Sequence, residues 1–255
     1  MGSRRIAVMQ PYFFPYIGYW QLLDAADVFV VYDNLKYTKK GWINRNRFLE
    51  HGVDRVFSIP LEADSDAKHI DQRHVSKSFD RTKLLRRIKT AYRRAPHFES
   101  AFSIFSESVS FSRRNLFDFL HHSILRLAAE LSFDVSIIPS SAIPIDHNKR
   151  SQDKVLDICK TLNATEYINP IGGTQLYAHE AFESIGVDLH FVHTTSIRYT
   201  QFKNEFVPWL SILDILMFNS LEQTSELIRE NYTLVRGDEP WLGVEPPDHR
   251  ALSLI

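Results

Sequence analysis

The sequence has one cysteine, Cys159, so an intrachain disulfide framework is excluded and a reducing compartment suits the chain. Cys159 falls within the helical spacing Val155-Leu156-Ile158-Leu162, which reads as buried core rather than as a nucleophile. Uninterrupted apolar runs of ~18 residues are missing, so no membrane-spanning helix is expected. Arg4 and Arg5 are followed by too short an apolar run for a signal peptide, and a cytoplasmic protein is expected. Neither sign of charge dominates: 30 Lys and Arg stand against 31 Asp and Glu, a net charge of −1 that points to no class of partner. HExxH and paired CxxC motifs are absent, so no metal is expected, and nothing in the sequence names a cofactor. Gly172-Gly173 fits neither the GxGxxG nor the GxxxxGK[ST] spacing, which leaves a turn allowing close backbone approach. A GxSxG nucleophile elbow and internal repeats are lacking too.

What the chain does have is apolar residues at 44% and aromatics at 13%, enough for a substantial core. A strand pattern at 6–9 stops at Gln10-Pro11, and an amphipathic segment begins near Trp20. Between them, residues 11–19 hold Tyr12, Phe13, Phe14, Tyr16 and Tyr19 with Pro11, Pro15 and Gly18. Any one of these aromatics fits a core. Together with prolines that oppose helix, they describe a turn built to hold a shape. A strand entering a turn and then a helix is the first βα unit of an α/β fold, in which ligands sit at the carboxyl ends of strands.

Further strands are predicted at 28–32, 55–61, 135–139, 166–169 and 188–193, with a short one at 69–76. Residues 35–47 and 62–71 read as loops, the first of them basic and aromatic. Helices are predicted at 151–162, 178–185 (closed by Gly186), 210–217 and 221–231, with a sharp turn at 170–173. Residues 80–132 carry helical periodicity alone, and Asn115 is a local start for the later helix there. The expected fold is therefore a mostly parallel, three-layer α/β sheet of the Rossmann-like type with a helical insertion. It divides into 1–79 and 133–236 as the α/β body, 80–132 as the insertion, and 237–255 as a loose tail.

Three clusters carry candidate chemistry. Asn44, Arg45 and Asn46 place a guanidinium between two amides, suited to phosphate or carboxylate, with Trp42 available to stack on a base or sugar. Asp33, just past the second strand, is the candidate general base. Arg198, Tyr199 and Gln201 follow a strand, and Asp214 lies in an apolar helix, where it needs either an ion-pair partner (Arg198 or Arg45) or a catalytic role. A second basic stretch, 81–94, is either a solvated helix face or the footprint of an anionic ligand.

These same blocks resemble the WbqC-like family. Gln10-Pro11-Tyr12-Phe13-Phe14-Pro15-Tyr16-Ile17-Gly18-Tyr19 is similar to its QPxYFPxxGY signature. The likeness continues through Ala26 to Val30, Asp33, Gly41 to Asn46, Tyr167, Gly172-Gly173, Tyr177, Tyr199 to Gln201 and Phe206 to Asp214. It spans roughly 5–232, with Met9 standing where many members have His. The resemblance implies a part in bacterial surface-polysaccharide (O-antigen, lipopolysaccharide) biosynthesis. The expected activity is transfer of an acyl or aminoacyl group to a nucleotide-linked amino sugar, giving an amide. In that reading Arg45, Asn44 and Asn46 bind pyrophosphate or a donor carboxylate, and Asp33 takes the amine proton. Gln10 and the backbone near Gly172 and Gly173 stabilise the oxyanion, while Tyr12, Tyr16, Trp42 and Tyr199 wall the pocket. The alternatives are a transferase whose donor is an aminoacyl-tRNA, with 81–94 as its footprint, and a non-catalytic scaffold for glycan assembly.

Overall fold

Alternate residues of the first strand, β1 (Arg5–Met9), enter two different cores. Ala7 and Met9 pack on one side of the sheet, and Ile6 and Val8 on the other. A strand covered on both faces has to read as a continuous apolar run, as this one does. The computed structural model describes residues 2–65, 67–203 and 205–237, so the predicted tail, apart from Gly237, lies outside the described residues.

In chain order, β1 leads to α1 (Ile17–Asp24), β2 (Val28–Val31), β3 (Arg45–Glu50) and β4 (Val53–Ser58). Three helices follow: α2 (Arg81–Tyr92), α3 (Phe98–Ser110) and α4 (Leu116–Glu130). The chain then runs through β5 (Ser136–Pro139), α5 (Ser151–Thr161), β6 (Glu166–Pro170), α6 (His179–Glu183) and β7 (Asp188–Thr194). It closes with α7 (Ile212–Phe218), α8 (Leu221–Glu230) and β8 (Tyr232–Arg236). The main sheet has the order β5-β2-β1-β6-β7-β8. Its register pairs Ile6 with Val28 on one side and with Tyr167 on the other, all parallel, and only β8 runs antiparallel, at the edge beside β7. The fold is thus α/β with a mostly parallel, six-stranded mixed sheet, as expected.

Helices cover both faces. The larger core joins α1 to Leu84, Ile88 and Tyr92 of α2, to α3 and α4, to α7 and to Ile228 of α8. The three helices within 80–132 therefore share one continuous apolar core with the sheet. The smaller core, on the opposite face, takes Val155, Ile158 and Cys159 from α5 and Phe182 from α6. Cys159 is buried, and its thiol pKa is pushed up to about 12 by that burial, as suits a packing residue.

Several local expectations change. The predicted loop 35–47 ends inside a strand: β3 begins at Arg45 and pairs with β4 in a separate two-stranded ribbon. His51 (φ 55°) and Gly52 (φ 77°) both take left-handed conformations, the requirement of a two-residue hairpin turn matched to strand twist. The predicted strand at 69–76 is a 3-10 turn, Ile70–Gln72, followed by isolated bridges such as Leu61 to Val75. Ile70 donates to the carbonyl of Leu35 and Asp71 to that of Asp33, and these bonds hold the turn against the end of β2. The turn predicted at 170–173 is a longer 3-10 segment, Ile171–Leu176, and β8 was not anticipated. Asn115 does start its helix, accepting a hydrogen bond from Asp118 N at 3.1 Å, and Gly186 closes α6 at φ 71°.

Candidate functional site

Chain direction across the sheet reverses between β1 and β6, because β2 and β5 lie on one side of β1 and β6 and β7 on the other. At such a switch point the loops leaving the strands part, and a crevice opens outside their carboxyl ends. A cleft of about 540 Å³ lies beside this point. Its floor is Pro170 and Ile171 at the end of β6 and residues 192–195 at the end of β7. Tyr16, Ile17 and Gly18 form one wall, at the amino end of α1, and Arg198, Tyr199, Phe206 and Trp209 form another.

The sequence explains these walls locally. Gly18 has no side chain because a Cβ there would lie 2.5 Å from the ring of Tyr16, which folds back over the first turn of α1. Tyr16 is the cap residue of that helix and supplies no side-chain acceptor to its amino end. Burial pushes its phenol pKa up to about 12, so it stays neutral. Its ring meets that of Trp209 at 6.2 Å. Trp209 has φ 60°, a left-handed conformation costly for a bulky residue and frequent at functional sites. Just beyond it, Ser211 locks the chain: its N–H reaches the carbonyl of Arg47, and its hydroxyl lies 2.6 Å from the carbonyl of Phe14. Arg198 is exposed, with its guanidinium 6.0 Å from the centre of the Phe206 ring.

Behind the cleft lies Asp214, fully buried in α7. Its Oδ1 accepts from the Tyr92 hydroxyl at 2.6 Å, and its Oδ2 from the Tyr199 hydroxyl and from Gln201 Nε2, each also at 2.6 Å. No arginine is among these partners, which corrects the expected ion pair. Arg45 instead donates to the carbonyls of Gly41 and Lys40. Three neutral donors satisfy the carboxylate without desolvating a second charge. Burial still raises the Asp214 pKa to about 6, against the lowering effect of those hydrogen bonds. Gln201 also exchanges two bonds with Val207, so this carboxylate anchors the loop that forms the second wall. With every oxygen occupied, Asp214 positions the wall.

The other half of the rim is polar. Asp33 lies two residues past the end of β2 at 4% exposure, and its Oδ1 accepts from Ser140 Oγ at 2.7 Å and from Ser141 N at 3.0 Å, both just past β5. Its Oδ2 has no hydrogen-bond partner among the described residues. Lys154, buried at 3% exposure, points its ammonium at Asn34 Oδ1 (2.8 Å) and lies 5.3 Å from the centre of the Tyr32 ring. Burial lowers the Lys154 pKa, and the nearby negative charge of Asp33 opposes that shift. Burial also raises the pKa of Asp71, reinforced by Asp33. Gln10 directly follows β1, between this cluster and the cleft, and its Oε1 accepts from the Tyr12 hydroxyl at 3.3 Å.

The remaining predicted residues lie away from the cleft lining. Asn44 accepts from the Tyr37 hydroxyl and donates to the carbonyl of Ile59. Asn46 is buried and donates to the carbonyl of Phe14 at 2.7 Å, bracing the aromatic turn. Trp42 has the guanidinium groups of Arg45 and Arg47 at 5.2 and 5.4 Å from its ring centre. Gly172 is exposed, while Gly173 is buried with its Cα against Asn169, whose amide nitrogen would lie 2.0 Å from a Cβ. The close approach read from Gly172-Gly173 is therefore, at Gly173, an approach to a neighbouring side chain. Among the described residues, no three His, Cys, Asp or Glu side chains group as a metal site requires, and no helix is long and apolar enough to cross a membrane.

The sequence profile of the WbqC-like protein family matches residues 10–226, most of the chain. The chain belongs to this family. This WbqC-like protein is also 22% identical over 229 residues to the uncharacterized protein Rv1507c of Mycobacterium tuberculosis, covering 89% of the present chain and 98% of that relative. No solved structure matches it. Sequence reasoning placed Tyr16, Arg198 and Tyr199, which the fold brings together, and Asp33 at its strand end. It missed Ser140, Asn34 and Lys154 around Asp33 in this WbqC-like protein. Lys154 carried a faint signal, as a lone lysine at a core spacing beside Val155 and Ile158.

Proposed function

We propose that this WbqC-like protein transfers an acyl or aminoacyl group to the amine of a nucleotide-linked amino sugar, forming an amide, in bacterial surface-polysaccharide assembly. The observation that carries the reading is that the cleft and the Asp33 carboxylate share one rim of one sheet. They lie at the ends of β6 and β2, two strand spacings or about 10 Å apart. One extended ligand spans that distance. Its nucleotide lies against the aromatic walls, its phosphates reach Arg198 and the amino end of α1, and its sugar amine reaches Asp33. The amine attacks the acyl carbonyl; the C–N bond forms, and the bond from the acyl carbon to its carrier oxygen or sulfur breaks. Asp33 takes the amine proton, which then passes to the departing carrier. Gln10 and the backbone N–H groups around Gly172 and Gly173 are the donors assigned to the oxyanion.

A second reading gives the donor a tRNA carrier. Lys83, Arg86, Lys89, Arg93 and Arg94 are all exposed on or just after α2, while Arg81 and Arg87 are engaged in structural bonds. A solvent-facing cationic stripe of that kind suits a phosphate backbone, and activity through it falls steeply with salt.

The test is a melting-temperature screen against nucleotide sugars, followed by turnover assays on the one that binds. A saturating ligand should raise the midpoint in the wild type and not in Arg198→Ala. Asp33→Asn should keep that binding while losing more than about a hundredfold in turnover. Absence of any nucleotide-sugar response removes the reading; unchanged turnover in Asp33→Asn removes the base assignment alone.

A further inference from the structure

Residues 81–94 hold seven of the chain's 30 Lys and Arg and none of its 31 Asp and Glu. In the fold they are α2 and the two residues after it. Leu84, Ile88 and Tyr92 are buried along its inner side, and every exposed residue of the stretch is Thr, Lys or Arg. At 3.6 residues per turn, Thr82, Lys83, Arg86, Lys89 and Thr90 fall within an arc of about 120°. Arg93, in the right-handed helical conformation at the helix end, continues this face. From Lys83 to Arg93 it is about 15 Å long.

Helix stability does not account for these charges. Lys83 lies in a first turn without an acid, where a cation opposes the helix dipole. Lys83 and Arg86, Arg86 and Lys89, and Lys89 and Arg93 are three or four residues apart, so like charges are neighbours. Among the described residues, none of the exposed cations of this stretch forms an ion pair. By contrast, Arg126 of α4 is paired with Glu107 and Glu130, and Arg229 of α8 with Asp24. Both acids of the adjoining β3–β4 ribbon are taken, Glu50 by Arg87 and Asp54 by Arg47. Asp80 caps α2, accepting from Lys83 N at 2.8 Å, and Glu99, near the start of α3, pairs with none of the exposed cations.

The make-up of this face selects among polyanions. A lipid surface calls for apolar anchors beside the cations, and unpaired bases call for an aromatic platform; the exposed residues of 81–94 offer neither. Nor can α2 enter a DNA major groove. Its inner side is packed on the core, and Arg87 ties it to the ribbon through Glu50 at 2.8 Å and the carbonyl of Val56 at 3.0 Å, so it lies flush. An RNA duplex is met through its phosphates and 2′-hydroxyls, without insertion of a helix.

We infer that the outer face of α2 is a docking surface for a base-paired RNA stem, held through its phosphates by Lys83, Arg86, Lys89, Arg93 and Arg94. The inference rests on the reading that gives the donor a tRNA carrier, and adds which part of such an RNA lies here and by which contacts.

The test titrates the full chain into a fluorescently labelled RNA hairpin and follows anisotropy over a series of salt concentrations. Parallel arms use a DNA hairpin of the same sequence, a single-stranded RNA of the same length, and vesicles of equal parts phosphatidylserine and phosphatidylcholine. The RNA hairpin should bind tightest, with log affinity falling against log salt at a slope of about −4, the value for five phosphate contacts. Arg86→Ala should make that slope shallower by about one. The double variant Arg86→Glu, Lys89→Glu changes two exposed positions to another good helix former, and should keep its circular dichroism while losing about a hundredfold or more in affinity. Arg198→Ala in the cleft should bind the hairpin as the wild type does. No hairpin binding at low salt, equal binding by the double variant, or tighter binding in any parallel arm overturns the proposal. Because binding is read without turnover, the two readings fail separately: hairpin binding lost in the double variant, with turnover indifferent to salt, keeps this surface and removes the tRNA donor.

Discussion

The three short hydrogen bonds on Asp214 make this buried acid the most consequential single side chain behind the cleft. Its pKa is raised from 3.8 to about 6, so the folded chain holds this proton more tightly than the unfolded chain does. The contribution is fully present below about pH 4 and is lost as pH rises towards 6 and above. The full shift corresponds to about 3 kcal/mol. Denaturant titrations at pH 4 and pH 7 should show the stability difference between wild type and Asp214→Asn changing by up to about that amount, with the mutant relatively better at pH 7. A difference that does not vary with pH would mean Asp214 titrates normally. At this scale the sequence was half legible. An acid in an apolar helix announced itself, but its partners came from residues 92, 199 and 201, which no local pattern connects. Asp33 was legible because strand ends have a local signature, whereas Lys154 reaches it only through packing of α5 under β2 and β5.

Among elements, those with strong periodicity were read correctly and those set by distant pairing were not. β1 and β2 are continuous apolar runs, β7 alternates through Leu189 and Phe191, and α4 and α8 carry both a stripe and a cap. β3 was taken for loop because its alternation, Arg45-Asn46-Arg47-Phe48, hides a buried Asn among arginines; Asn46 faces inward because the carbonyl of Phe14 needs its amide. β8 is mostly exposed and is held as an edge strand by β7; Tyr232, Thr233 and Val235 favour a strand, but without a buried alternation the segment went unread. The 3-10 segment after β6 is set by close contact, since Gly173 packs on the buried Asn169. Gly173→Ala should therefore cost roughly 1–3 kcal/mol by overpacking, and a melting scan checks it. Gly172→Ala, at the exposed neighbour, should be nearly neutral. Equal effects at the two positions would argue against the Asn169 contact.

For the molecule as a whole, the helices of 80–132 and the sheet close one core, with Phe13 stacked on Phe119 at 5.3 Å and Phe14 against Phe105 at 5.0 Å. Cooperative unfolding should follow: far- and near-ultraviolet circular dichroism should give coincident transitions. An early transition confined to helical signal would show instead that the helical stretch is an independent unit. The sheet carries one more consequence, for handling the protein. Its five parallel strands all begin at the same rim, opposite the cleft, and the chain's first described residues are stitched there: Arg4 N donates to Thr165 Oγ1 at 2.7 Å, at the foot of β6. A tether attached at residue 2 consequently leaves from the far side of the molecule. Chains immobilised through that point would stand with the cleft turned towards the solution, ready for ligands to be passed over them.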